Sequence, residues 1–311
     1  MGTEQTVMDL EPTPTAPSTI RTGVINIEGG LSTAGASTWW RLSGYVDVAT
    51  LHNTWLHAGL NPDWLPNAPS AATALRRSMR SHEARRLLAR PLDGGEGWLL
   101  VRERLAVDSD TAYEATPLLR VSVNAAEDGA DVSLLVEHTE ELEQVALAIR
   151  NEFGTHLDRL APEDVSVWLS RMMVKLDAVA LRDTGGIYFV PNGRVELLRA
   201  IAMVLRAVTA HVVYEMPAIK SEGAVEAILA AVESEAVQAA KKMEGALSDG
   251  ALGARGLANR EEQCREVERK VAGYESLLGR SLDGLRERLE KLRANIAVAI
   301  MAARADADEV T

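Results

Sequence analysis

The chain has 311 residues, with 33 Lys and Arg against 45 Asp and Glu and a net charge of −12. That length allows two domains, or one globular body with an appendage, and 47% hydrophobic residues allow a sizeable core. The acidic balance argues against a general nucleic-acid coat or an anionic-membrane binder, and the single cysteine, Cys264, excludes an intrachain disulfide and a cysteine-based zinc site.

Residues 1–36 are rich in Thr, Pro, Ser and Gly without periodicity and read as a flexible tail, with a short strand possible at 24–27. An α+β domain is expected over 37–139. It begins with a strand at 38–43 and a helix capped by Asp47 that carries Val48, Leu51, Trp55 and Leu56 on one face. A proline-punctuated segment follows, then a second helix capped by Ser70 with Ala71, Ala74, Leu75 and Met79 inward. Four strand-like runs, at 86–91, 97–107, 118–125 and 131–138, are separated by glycine turns and predict an antiparallel meander.

From Glu140 the apolar period changes to that of a helix, with Leu142, Val145, Ala146, Ile149 and Phe153 in one stripe. A segment over 140–219 is expected to pack with the first domain as helix, β-hairpin, helix and strand. Pro162 opens a helix with Glu163 and Asp164 in its first turn, where the helix dipole favours carboxylates. The hairpin runs over 179–190 around a glycine turn, a helix over 194–208 and a strand over 211–216.

Residues 220–311 read as a long antiparallel helical hairpin, a coiled-coil-like arm. Val225, Ile228, Leu229, Val232, Ala236, Ala239, Met243 and Leu247 stripe the first helix. On the second, Val267, Val271, Tyr274, Leu278, Leu282, Leu285, Leu289, Leu292, Ile296 and Ile300 recur at steps of three and four, after Cys264 on the same stripe. These residues are the candidate assembly seam. If unbroken over 257–305 the second helix spans about 70–75 Å and overruns the first by some thirty ångströms. Gly279 and Gly284 offer a bend with Ser281 as a restart. The overrun, 295–303, is apolar on nearly every side and is expected to be buried, on the body or on another copy.

Arg76, Arg77, Arg80, Arg85, Arg86 and Arg90, with His82 among them, face only Glu83 locally. Arginine suits phosphate, so these six are candidates for contact with a phosphate or an acidic partner; a solvated face paired with acidic residues elsewhere is the plainer alternative. Trp64 and Trp98 could interleave as stacking platforms or lie in the core. The helix at 162–177 and the following hairpin have the outline of a recognition helix and wing, but Glu163, Asp164 and Asp177 outnumber Arg171 and Lys175, which disfavours reading DNA. The histidines lack metal-ligand spacing, Asp108 and Asp110 read as a loop, and no P-loop, nucleophile elbow or zinc-protease motif is present. No catalytic residue, metal or cofactor is assigned.

Arg171-Met172-Met173 through Leu176, followed by Gly185-Gly186-Ile187-Tyr188-Phe189-Val190-Pro191, resembles a segment of an uncharacterised family encoded by phages, plasmids and some prokaryotic genomes. The early tryptophan strand, helix, Pro-rich loop and Arg-rich helix over residues 39–86 are similar too, so the likeness covers 38–216 in outline. It implies a phage or mobile-element context and no activity or catalytic residue; the arm is not part of it.

No charge-free run approaches the ~18–20 residues that span a bilayer, and no secretory leader is expected. The expectation is therefore a cytoplasmic, non-enzymatic interaction or scaffold protein. Its arm would mediate self-association or docking to a protein partner, without membrane contact. The alternative is a nucleic-acid-associated protein that contacts phosphates through residues 76–90.

Overall fold

The structure is a computed structural model that describes residues 32–309, apart from 85–86, 96, 106–112, 125, 127, 183–185 and 249–252. Residues 1–31 of the expected tail with its strand at 24–27, the Asp108 and Asp110 loop, and Gly185 of the hairpin turn lie outside the described residues, whereas residues 33–36, expected in the tail, belong to the first strand.

In chain order the elements are β1 (Thr33–Arg41), β2 (Val46–Asp47), α1 (Val48–His57), α2 (Ala71–Ser81), β3 (Leu87–Pro91), β4 (Trp98–Leu105), β5 (Tyr113–Val123), β6 (Ala130–Leu134), α3 (Glu140–Leu157), β7 (Arg159–Leu160), α4 (Pro162–Lys175), β8 (Val179–Ala180), β9 (Tyr188–Pro191), α5 (Val195–Val208), β10 (Val212–Ile219), α6 (Glu222–Ser248), α7 (Ala254–Leu278) and α8 (Asp283–Glu309). The fold is α+β. One antiparallel sheet has the order β10-β1-β9-β8, a second is the meander β3-β4-β5-β6, and β2 pairs with β7.

The first sheet is covered on both faces. A bulge lies in β1 between Thr33 and Gly35, and such an insertion flips the side-chain alternation. Ala36 and Trp40 therefore face α1, α4 and α5, packing with Leu51, Trp55, Trp168, Met172, Leu198 and Ile201. Ala34 instead joins Val179 and Phe189 on the opposite face, under the arm. Gly35 is needed at this crossing, because a Cβ there would sit 2.0 Å from the carbonyl oxygen of Val190.

Trp55 and Trp168 are buried and Trp40 half-buried, and each indole N–H finds a polar partner. Trp55 Nε1 donates to Asn61 O at 2.8 Å, Trp168 Nε1 to Trp64 O at 2.6 Å, and Trp40 Nε1 to Ser166 Oγ at 3.2 Å. Trp64 and Trp98 both pack against hydrophobic cores, so neither stands out as a stacking platform. The meander packs its inner face on α2 and α3 through Leu100, Leu119, Val121, Met79, Ile149 and Phe153.

The cores cross the expected boundaries at 37, 140 and 220. β1 pairs with β9 and β10 far along the chain, while α3 packs on the meander that precedes it. The hairpin of β8 and β9 forms, but β9 lies inside the sheet beside β1, so it is not a free wing.

The arm is present, and its second helix is folded in two. Gly279 takes φ +68° and caps α7 in the left-handed region, the conformation that ends many helices and that glycine adopts without penalty. The Glu275 carboxylate then accepts Leu282 N–H at 2.6 Å and the Arg286 guanidinium at 2.5 Å. It thereby supplies a partner for a backbone donor just ahead of α8. Three helices of 27, 25 and 27 residues, about 40 Å each at 1.5 Å per residue, replace the two unequal ones expected.

Candidate interaction surfaces

The expected assembly seam is brought together inside one chain. Val271, Tyr274, Leu285, Leu289, Leu292 and Ile296 are buried and Val267, Leu278, Leu282 and Ile300 half-buried, all in one core with Ile228, Val232, Ala236 and Met243 of α6. Folding back at Gly279 gives the stripe an intramolecular partner, so the seam as a whole does not present a face to another copy. Cys264 is also in this core, with its Sγ 3.8 Å from Leu289 O, and burial pushes its thiol pKa up. It is a small core residue, as its place on the stripe indicates.

Ion pairs tie the three helices of the arm to one another. Arg288 pairs with Glu244 at 2.7 Å, Arg293 with Glu268 at 3.1 Å and Lys270 with Glu235 at 2.6 Å. The hydrogen bonds from Arg288 hold the Glu244 carboxyl below its ordinary pKa. Lys220 donates to Leu277 O at 2.7 Å and Tyr274 OH to Asp177 O at 2.8 Å, joining arm and body.

Within the single chain the distal end of α8 is covered on one side. With Arg288 opposite Glu244 and α6 ending at Ser248, α8 from about residue 292 runs beyond α6, four residues on in each helix. Ile296 is fully buried and Ile300 half-buried. Ala294, Ala297, Val298, Met301 and Ala302 are exposed, Val298 at 61% and Met301 at 62%. They follow the i, +3, +4, +7, +8 spacing of a helix face. This end of the helix therefore carries two apolar faces, of which one is covered.

The arginine cluster is divided. Arg77 on α2 bonds the Asp164 carboxylate of α4 at 2.7 Å, and Arg90 on β3 pairs with Glu103 of β4 at 2.8 Å. Arg76 and Arg80 are exposed on α2 and make no ion pair among the described residues. Arg85 and Arg86 lie outside the described residues. The local acid, Glu83, is turned to Ala89 N–H at 3.1 Å. Two of the six candidates thus serve packing between elements, and two remain open to a partner.

Behind Arg77 is a polar junction that the residue pattern did not disclose. Ser81 donates to the Glu152 carboxylate of α3, and His82 Nε2 is 3.4 Å from the same group. His156 is buried near this group; burial lowers its pKa, Glu152 opposes that shift and Arg77 adds to it. Asp164 also accepts Ala161 N–H at 2.9 Å, capping α4 while it holds Arg77. Arg77 and Asp164 are 87 residues apart in sequence, so local spacing carries no signal of their meeting. Among the described residues no three His, Cys, Asp or Glu side chains come together as metal ligands, and no helix is long and apolar enough to cross a membrane.

No curated protein and no solved structure matches the chain. A family model described as a family of unknown function (DUF6744) matches residues 35–307, from β1 through almost all of α8. The arm is therefore part of the family pattern, not an appendage to it. The chain belongs to the family of unknown function DUF6744.

Proposed function

We propose that the protein is a non-enzymatic interaction protein that associates with another copy of itself through the distal face of α8. The observation that supports this reading is the uncovered apolar face of Ala294, Ala297, Val298, Met301 and Ala302, next to an inner face that is already packed. Helix faces of this kind gain free energy by leaving water together. The arm then acts as a coiled-coil-like assembly element, and the body acts as the part presented by the oligomer. The resemblance of residues 171–191 to a family of phages and plasmids supports a mobile-element context, and the acidic composition supports a cytoplasmic setting.

Light scattering of the full-length chain across a concentration series tests the reading. The wild type is expected to be dimeric or larger. Val298→Glu with Met301→Glu is expected to be monomeric with unchanged helicity, because both side chains are exposed in the single chain. A wild type that stays monomeric at every concentration overturns the reading.

Arg76 and Arg80 favour a second reading, contact with nucleic-acid phosphates independent of sequence, since neither has an acidic partner among the described residues. Binding to labelled single- and double-stranded nucleic acid should weaken with salt and vanish in Arg76→Glu with Arg80→Glu. Binding that is indifferent to the double change counts against it.

A further inference from the structure

We propose that the cleft between the end of α4 and the outer face of α7 is a binding site for a small molecule that carries a phosphate group. The cleft has a volume of about 410 Å³, within the range of ligand pockets, and it lies where two parts of a fold meet, a common place for them. Its wall from the body is made by Asp177, Pro191 and Arg194, and its wall from the arm by residues of α7.

The charge in the cleft is opposite to that of the chain. Arg194, Arg269 and Lys270 line it against one carboxylate, Asp177, whereas the whole chain carries −12. The three cations differ in how they are held. Arg194 donates through Nε and Nη2 to Asp177 Oδ2 at 3.1 and 2.9 Å. Lys270 Nζ donates to Ala178 O at 2.7 Å and to Glu235 at 2.6 Å. Arg269 is exposed and makes no hydrogen bond or ion pair among the described residues. A guanidinium has five N–H donors, so Arg194 keeps donors for a ligand while Asp177 fixes its plane, and Arg269 brings its full set.

The backbone around the cleft is held in place. Asp177 has φ +53°, the one positive value outside glycine among the described residues, and Tyr274 OH secures its carbonyl oxygen at 2.8 Å. It is the left-handed residue that ends α4, with Asp177 N–H bonded to Val174 O at 3.1 Å and Ala178 N–H to Met173 O at 2.9 Å. Gly273 lies inside α7 and lines the cleft, and a Cβ there would meet nothing within 4 Å, as is also so at the helix glycines Gly154, Gly245 and Gly284. Packing therefore does not require glycine, and a helix interior disfavours it. What the missing side chain does leave is open space in the cleft.

A phosphate monoester matches these features better than a carboxylate. Glu235 neutralises Lys270, so the cleft keeps a surplus of one positive charge, and the three oxygens of a phosphate take donors from two guanidinium forks where a carboxylate offers two oxygens. Leu277 and Pro191 give the organic part of the ligand an apolar wall.

Calorimetry of the full-length protein at low salt, with phenyl phosphate as the probe and benzoate as the carboxylate comparator, tests the site. The wild type is expected to bind phenyl phosphate saturably and more tightly than benzoate. Arg269→Ala and Gly273→Leu are each expected to weaken binding by about tenfold or more, the first by removing the free fork and the second by filling the cleft, while circular dichroism shows both folded. Absence of saturable phenyl phosphate binding, or binding unchanged in both folded variants, overturns the site. Benzoate bound as tightly as phenyl phosphate overturns the assignment of phosphate.

Discussion

At the scale of single residues, the groups with the clearest electrostatic consequences are two histidines. His156 and His211 are both buried, and burial lowers the pKa of each below 6.5. His211 Nδ1 accepts Ser43 N–H at 3.0 Å, and its Nε2 is buried without a hydrogen-bond partner among the described residues. In the unfolded chain both would titrate near the ordinary value, so below pH about 6.5 the unfolded state binds more protons than the folded one. Their contribution to stability is complete above that pH and falls as the solution is acidified toward the folded values. Urea midpoints should therefore drop between pH about 7.5 and about 5.5, above the range in which ordinary carboxylates titrate. The drop should shrink when both histidines are replaced by Gln, and a midpoint that ignores pH over this window would contradict the argument. His156 shows how little of such a site the residue pattern contains. Its position on the α3 stripe is visible, but the neighbours that set its charge, Glu152 one turn away and Arg77 on another helix, are placed by packing.

At the scale of elements, hydrophobic period and capping chemistry were enough to locate most helices and strands. Asp47 and Ser70 cap α1 and α2 as their side chains suggest, and the meander strands appear in the expected order. For the arm's second helix the residue pattern leaves one long helix and a break at Gly279–Gly284 both open, because a continuous apolar stripe is equally compatible with one long helix and with two that fold together. The decision rests on Gly279 and on a residue with no apolar signal, Glu275. Its carboxylate is buried and holds both Leu282 N–H and Arg286. Glu275→Ala should leave that backbone donor and guanidinium without their partner, at about 2–3 kcal/mol for a buried group bonded to a charge. Chemical denaturation with a matched slope would measure it, and a loss below about 0.5 kcal/mol, the scale of ordinary surface substitutions, would show that the turn is held by Gly279 alone.

At the scale of the whole molecule, the arm completes the body. Ala34, Val179 and Phe189 of the first sheet are in the same core as α6, α7 and α8, so the sheet has no finished second face without them. A chain ending near residue 220 is expected to lose its cooperative thermal transition and to aggregate, and Phe189→Ala in the full chain should lower stability by about 3–5 kcal/mol. A soluble truncated chain with a sharp melting transition would refute this. The sequence by itself determined the α+β class, most of the core-facing residues, Leu56 at 44% exposure being an exception, and the apolar character of the arm, because side-chain burial imposes periods of two and 3.6 that survive in the order of residues. The tertiary structure alone decided which apolar face meets which, which arginines keep a free charge, and where arm and body leave a cleft. Those outcomes depend on contacts between residues far apart in sequence, such as Arg77 with Asp164 and Tyr274 with Asp177, and no local period encodes the partner at the other end.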